Sequence, residues 1–199
     1  MRNILLNTFL ILTLSISQPC FGMTKILILG DSLCEGMGVS SEEAWPSLYQ
    51  EQNPNFKIIN SSISGSTSAG ALARLKWTIK QKPQILFLAL GANDGLRAHS
   101  TQSIYTNLKK TIQYAQDKKV RVVLFGMMMP PNYGEPYLSD FKNIFSQLNK
   151  DFTLDFYPFL LKDVGGVKKY TQSDGMHPNK LGHQIIAKNI SLFTKNLSL

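Results

Sequence analysis

The chain has 199 residues, 43% hydrophobic and 17% charged, enough for one domain with a substantial core. A mean hydropathy of −0.08 excludes a polytopic membrane protein. The net charge of +8 favours anionic partners, but it is spread along the chain and no nucleic-acid motif accompanies it, so it reads as a solvated basic surface.

Residues 1–22 stand apart. Arg2 is followed by a mostly apolar stretch from Ile4 to Ile16. Cys20 and Gly22 then place small residues three and one before Met23. This is the pattern of a secretory signal peptide, and the apolar stretch is short for a span of about 20 residues. The expected organisation is a signal peptide over 1–22 and a single domain over 23–199, exported and periplasmic. The exported chain would keep one cysteine, Cys34, and so no disulfide framework.

In the domain, apolar runs of strand length alternate with segments of helical period. Strands are expected at Ile26–Leu29, Lys57–Asn60, Ile85–Leu90, Val120–Gly126 and Thr153–Phe156. The first, third and fourth are nearly continuous in apolar residues, as in strands covered on both faces. Helices are expected at Glu42–Gln50, Thr67–Lys80, Thr101–Lys118, Leu138–Asp151 and Lys180–Asn196. Ile104, Leu108, Ile112 and Ala115 mark one helix face; Phe141, Ile144, Phe145 and Leu148 mark another. Such alternation implies right-handed crossovers, a parallel sheet and three α/β/α layers. Sites in such folds form at the carboxyl ends of strands.

Four segments closely follow predicted strands and should open on that edge. They are Gly30-Asp31-Ser32, Ser64-Gly65, Gly91-Ala92-Asn93-Asp94 and the loop from Met127 to Gly134. A serine nucleophile needs a base, and the base needs an orienting partner. Ser32 can be the nucleophile, with Asp174 and His177 as orienter and base. The three-residue spacing of that pair places both side chains on one side of a turn. The backbone N–H groups of Ser32 and Gly65 and the amide of Asn93 can stabilise an oxyanion. The set points to acyl transfer from an ester or thioester to water. Asp31 and Asp94 read as turn-formers, and His99 and His183 as structural or surface residues. No metal or other cofactor is expected, because the histidines lack ligand-spaced companions. Met127–Met129, Pro130, Tyr133 and Tyr137 can line an adaptable apolar groove, with a core position an equal alternative for some of the methionines.

These residues resemble the SGNH (GDSL-type) hydrolase superfamily, in particular its bacterial branch of periplasmic thioesterases, lysophospholipases and arylesterases. Gly30-Asp31-Ser32-Leu33 is similar to the nucleophile block and Ser64-Gly65-Ser66-Thr67-Ser68 to the glycine block. Gly91 to Arg97 is similar to the asparagine block, and Asp174 to Asn179 to the Asp/His block. Ala44-Trp45-Pro46, Ala73-Arg74-Leu75 and Pro131-Asn132-Tyr133-Gly134 carry the resemblance further, over nearly all of the chain after residue 24. It implies a five-stranded parallel sheet in flavodoxin-like order. It also implies Ser32, His177 and Asp174 as catalytic residues, with Ser32, Gly65 and Asn93 forming the oxyanion hole. Cys34 stands where serine is usual, and Met127-Met128-Met129 replaces a more typical run. An adduct on Cys34, two residues past Ser32, would then crowd the site.

The expected activity is hydrolysis of acyl esters and thioesters (lysophospholipid, acyl-CoA, aryl esters) through an acyl-enzyme on Ser32. The expected substrate-binding residues are Met128, Pro130, Tyr133 and Tyr137. A monomer is expected, with transient contact to membrane lipid and no nucleic-acid partner. The alternatives are a carbohydrate O-deacetylase using the same catalytic set, or a non-catalytic acyl-binding protein.

Overall fold

A computed structural model describes residues 23–197 and 199 of the chain; the expected signal peptide lies outside the described residues. Five parallel strands form one sheet: β1 (Thr24–Gly30), β2 (Phe56–Asn60), β3 (Ile85–Ala89), β4 (Arg121–Phe125) and β5 (Asp155–Tyr157). Their order is β2-β1-β3-β4-β5, with Ile26 opposite Ile58 on one side and Ile85 on the other. This is the flavodoxin-like order implied by the resemblance.

Burial follows the sequence pattern. Ile26 to Leu29 and Leu86 to Ala89 have no solvent exposure, as central strands covered on both faces require. The edge strand β2 is only partly buried. On one face lie α2 (Trp45–Gln52) and α7 (Lys180–Lys195), which pack on each other. On the other lie α3 (Ala71–Thr78), α5 (Thr101–Asp117) and α6 (Glu135–Phe152), packed in that order. All eight apolar positions predicted for the faces of α5 and α6 are buried.

Element boundaries differ in places for identifiable reasons. Helix α2 begins at Trp45 rather than Glu42, and α6 at Glu135 rather than Leu138. Each carries a proline in its first turn, Pro46 or Pro136, where a missing N–H costs nothing. The segment expected as one helix over Thr67–Lys80 is α-helical only from Ala71 to Thr78, with 3-10 turns at both ends. Thr153 belongs to no strand: it ends α6 in the left-handed conformation, at φ 49°. Two short helices were not legible in the periodicity, α1 (Ser32–Glu35) and α4 (Ala92–Leu96), and both carry site residues.

Candidate active site

Helix α1 starts where β1 ends. Asp31 caps it, its Oδ1 accepting the N–H of Leu33 at 3.0 Å. The helix then turns back tightly on the strand. A Cβ at Gly30 would lie 2.6 Å from Cys34 Sγ, so only glycine allows this turn. Ser32 is thereby fixed at the carboxyl end of β1, an interior strand of the sheet.

The C-terminal partners ride on one loop. Asp174 Oδ1 accepts the N–H groups of Met176 and His177 at 2.9 and 3.0 Å, which closes the turn. Its Oδ2 lies 2.6 Å from His177 Nδ1, and His177 Nε2 lies 2.9 Å from Ser32 Oγ. Partial burial pushes the Asp174 carboxyl upward. The Met176 N–H and the His177 ring and N–H outweigh that and hold it below its ordinary range. The carboxylate therefore stays ionised and favours the imidazole tautomer that carries its proton on Nδ1, leaving Nε2 to accept from Ser32.

Gly65 and Asn93 come to the same place from the connections after β2 and β3. Gly65 sits at φ +75°, a left-handed conformation that disfavours any side chain. Its carbonyl accepts two hydrogen bonds from Arg97, at 3.2 and 3.3 Å. Among the described residues, the N–H groups of Ser32 and Gly65 make no hydrogen bond. Asn93 Nδ2 donates to Asp31 Oδ2 at 3.3 Å, which leaves its second hydrogen for the cavity. Asp31 thus joins the segment carrying Ser32 to the segment carrying Asn93.

The site opens into a cavity of about 800 Å³. Asp31, Ser32, Gly65, Asn93 and His177 line one side; Met127, Met128, Met129 and Pro130 lie on the β4 connection. Phe159, Leu161, Met37 and Met176 also line it, although sequence reasoning did not single them out. The last two had a readable signal, since Met37 follows Ser32 by five residues and Met176 precedes His177. The alternative between groove and core resolves into both for Met127, which lines the cavity at 2% exposure.

Tyr133 and Tyr137 do not line the cavity, which corrects their expected place. Their hydroxyls donate to the carbonyls of Leu96 and His99, each at 2.9 Å. They fasten the α6 entry to the connection after β3. Cys34 is also corrected. Its thiol is fully buried and burial pushes its pKa well up, so no reagent reaches it from the cavity in the folded protein. His99 lies exposed near Asp94, at 3.7 Å. His183 is buried, and its Nδ1 accepts the N–H of Trp45 at 3.2 Å.

Two buried groups near the site titrate with opposite sign. Burial pushes the Asp31 carboxyl from 3.8 up to about 6, against the hydrogen bonds of Leu33 and Asn93. The folded protein therefore holds this proton more tightly than the unfolded chain. The resulting stability is full below pH 3.8 and is lost as pH rises through 6. Burial pushes His183 from 6.5 down to about 4. Its contribution is present above 6.5 and is lost as pH falls through 4. Each amounts to about 3 kcal/mol. The two are expected to offset each other between pH 4 and 6.5. Relative to wild type, Asp31→Asn should lose thermal stability on acidification, and His183→Asn should gain it. Three parallel curves of Tm against pH would refute this pairing.

A three-layer parallel α/β fold whose strand ends assemble a Ser–His–Asp relay defines a serine hydrolase. The GDSL-like Lipase/Acylhydrolase family model matches residues 28–185, and the chain belongs to that family. Among its relatives is Esterase TesA of Pseudomonas aeruginosa, 34% identical over 195 residues that cover 96% of each chain. Another is Thioesterase 1/protease 1/lysophospholipase L1 of Escherichia coli, 36% identical over 164 residues, 81% of this chain and 79% of that one. The crystal structure of the psychrotrophic esterase EstA from Pseudoalteromonas sp., inhibited by monoethylphosphonate, superposes with a TM-score of 0.84. It is 35% identical and covers 87% of this chain and 98% of that chain.

Proposed function

We propose that the protein is a serine esterase that hydrolyses medium- to long-chain acyl esters and thioesters, including lysophospholipid and acyl-CoA. The observation that carries this reading is the relay Ser32 Oγ–His177 Nε2–Asp174 at hydrogen-bond distances, opening on an apolar cavity. Ser32 Oγ attacks the carbonyl carbon as its proton passes to His177 Nε2. The oxyanion faces the N–H groups of Ser32 and Gly65 and the Asn93 amide. His177 then gives the proton to the leaving alcohol or thiol, and the acyl group remains on Ser32. Water, activated by His177, releases the acid and restores the serine.

A series of p-nitrophenyl esters from acetyl to long chain, run beside lysophospholipid and acyl-CoA, tests the reading. Preference for octanoyl or longer is the expected result; preference for acetyl would favour a carbohydrate O-deacetylase instead. The methionine-lined cavity supports the longer chains, since a sugar-binding site needs polar groups to meet hydroxyls. Labelling of Ser32 by a fluorophosphonate separates an enzyme from a non-catalytic acyl-binding protein.

Asn93→Ala should lower kcat by about 10²–10³-fold with little change in KM. The ground-state carbonyl carries little charge and the oxyanion nearly a full one, so this donor matters mainly in the transition state. A rise in KM with kcat intact would remove Asn93 from the oxyanion hole.

Residues 1–22 are read as a signal peptide that directs the domain to the periplasm as a monomer. Among the described residues, no helix is long and apolar enough to cross a membrane. Amino-terminal sequencing of the exported protein should begin at Met23.

A further inference from the structure

Methionine gathers at one place in this molecule. Five of the seven methionines, Met37, Met127, Met128, Met129 and Met176, line the catalytic cavity. They arrive from three separate connections: the one after α1, the one after β4, and the loop that carries His177. Met37, Met128 and Met176 are 50%, 45% and 43% exposed. Met127 is 2% exposed, and Met129 packs against the core. The cavity thus has a mouth of open thioethers and a sheltered pair behind it. Cys34, the free thiol among the described residues, is fully buried and does not compete for oxidants.

We propose that Met37, Met128 and Met176 form an oxidation site at the cavity mouth, where hydroperoxides convert the acyl-chain lining into a polar one and shift the enzyme toward short acyl groups. The inference rests on the reading that the cavity receives acyl chains. In the reaction, a sulfur lone pair attacks one peroxide oxygen and the O–O bond breaks. The sulfur loses two electrons and gains the oxygen, and hydrogen peroxide leaves as water after proton transfer. The product sulfoxide is a strong hydrogen-bond acceptor that holds water. A long acyl chain crossing the mouth must then displace that water or forgo the contact. An acetyl group adds a single methyl beyond the carbonyl carbon that Ser32 attacks, so it has the least of this contact to lose. Losing the burial of two methylenes corresponds to on the order of tenfold in kcat/KM for the long chain.

The experiment treats the purified protein with hydrogen peroxide and maps oxygen addition by peptide mass spectrometry. Met37, Met128 and Met176 should be oxidised ahead of Met127 and Met129. Met23, exposed and outside the cavity, is an internal control whose oxidation should not track activity. The ratio of kcat/KM for p-nitrophenyl decanoate to that for the acetate should fall about tenfold, and methionine sulfoxide reductases should restore it. In the triple variant Met37→Leu/Met128→Leu/Met176→Leu, peroxide should leave that variant's own ratio unchanged. An unchanged ratio in fully oxidised wild type, or an equal fall in the triple variant, overturns the oxidation site. Failure of the untreated protein to cleave either ester would instead overturn the esterase reading on which it rests.

Discussion

Ser32→Ala is expected to lower kcat by about 10³-fold or more while leaving the protein folded. The hydroxyl is the proposed covalent nucleophile, and its observed hydrogen bond is to His177 Nε2. The cap that holds α1 comes from Asp31, and alanine is a good helix former, so the local structure does not depend on the serine oxygen. Residual turnover would come from the oxyanion donors and substrate binding, which the variant retains. The measurement is kcat on a p-nitrophenyl ester together with fluorophosphonate labelling and Tm. Activity within tenfold of wild type, in a protein of unchanged Tm, would remove Ser32 from the mechanism.

His177→Ala should be nearly as damaging, because neither of the other histidines can replace it. His99 sits in the connection before α5, beside Asp94. His183 is buried between α2 and α7, its Nδ1 engaged by Trp45. Without an imidazole at position 177, Ser32 has no group to take its proton. Asp174→Asn should be milder. The asparagine oxygen can still accept the two loop N–H groups, but its amide nitrogen would face His177 Nδ1 and disfavour the working tautomer. The pH dependence of kcat/KM provides the second readout. Asp174 stays ionised, but Asp31 titrates near 6 in the same cavity, so the profile is compared with that of Asp31→Asn. An acid limb between about pH 5 and 8 that survives in the variant belongs to a histidine base, and a flat profile would speak against one.

The sheet was legible because its central strands are continuous apolar runs with turn-formers at their ends. The relay was legible because serine, aspartate and histidine stood at strand exits and in a turn-length spacing. What stayed hidden depends on distance in space. Tyr133 and Tyr137 lie beside cavity residues in the chain, yet their rings turn toward Leu96 and His99. Phe159 and Leu161 enter the cavity from a connection whose path no periodicity describes. Arg97 fastens Gly65 across 32 residues, a pairing invisible to local patterns. His183 gave no sign that it would be buried, because a polar residue on an amphipathic helix more often faces water.

The hydrogen bond between Ser32 and His177 spans 145 residues. It brings the exit of the first strand to the entry of the last helix. A growing chain therefore carries its proposed nucleophile and both proposed oxyanion segments long before it carries its proposed base. On the proposed mechanism, Ser32 remains an ordinary alcohol until the loop carrying His177 is in place beside it. The proposed esterase is therefore latent throughout synthesis. Its activity is in turn a sensitive gauge of folding, because the segment that completes the proposed site is made long after the one that carries Ser32.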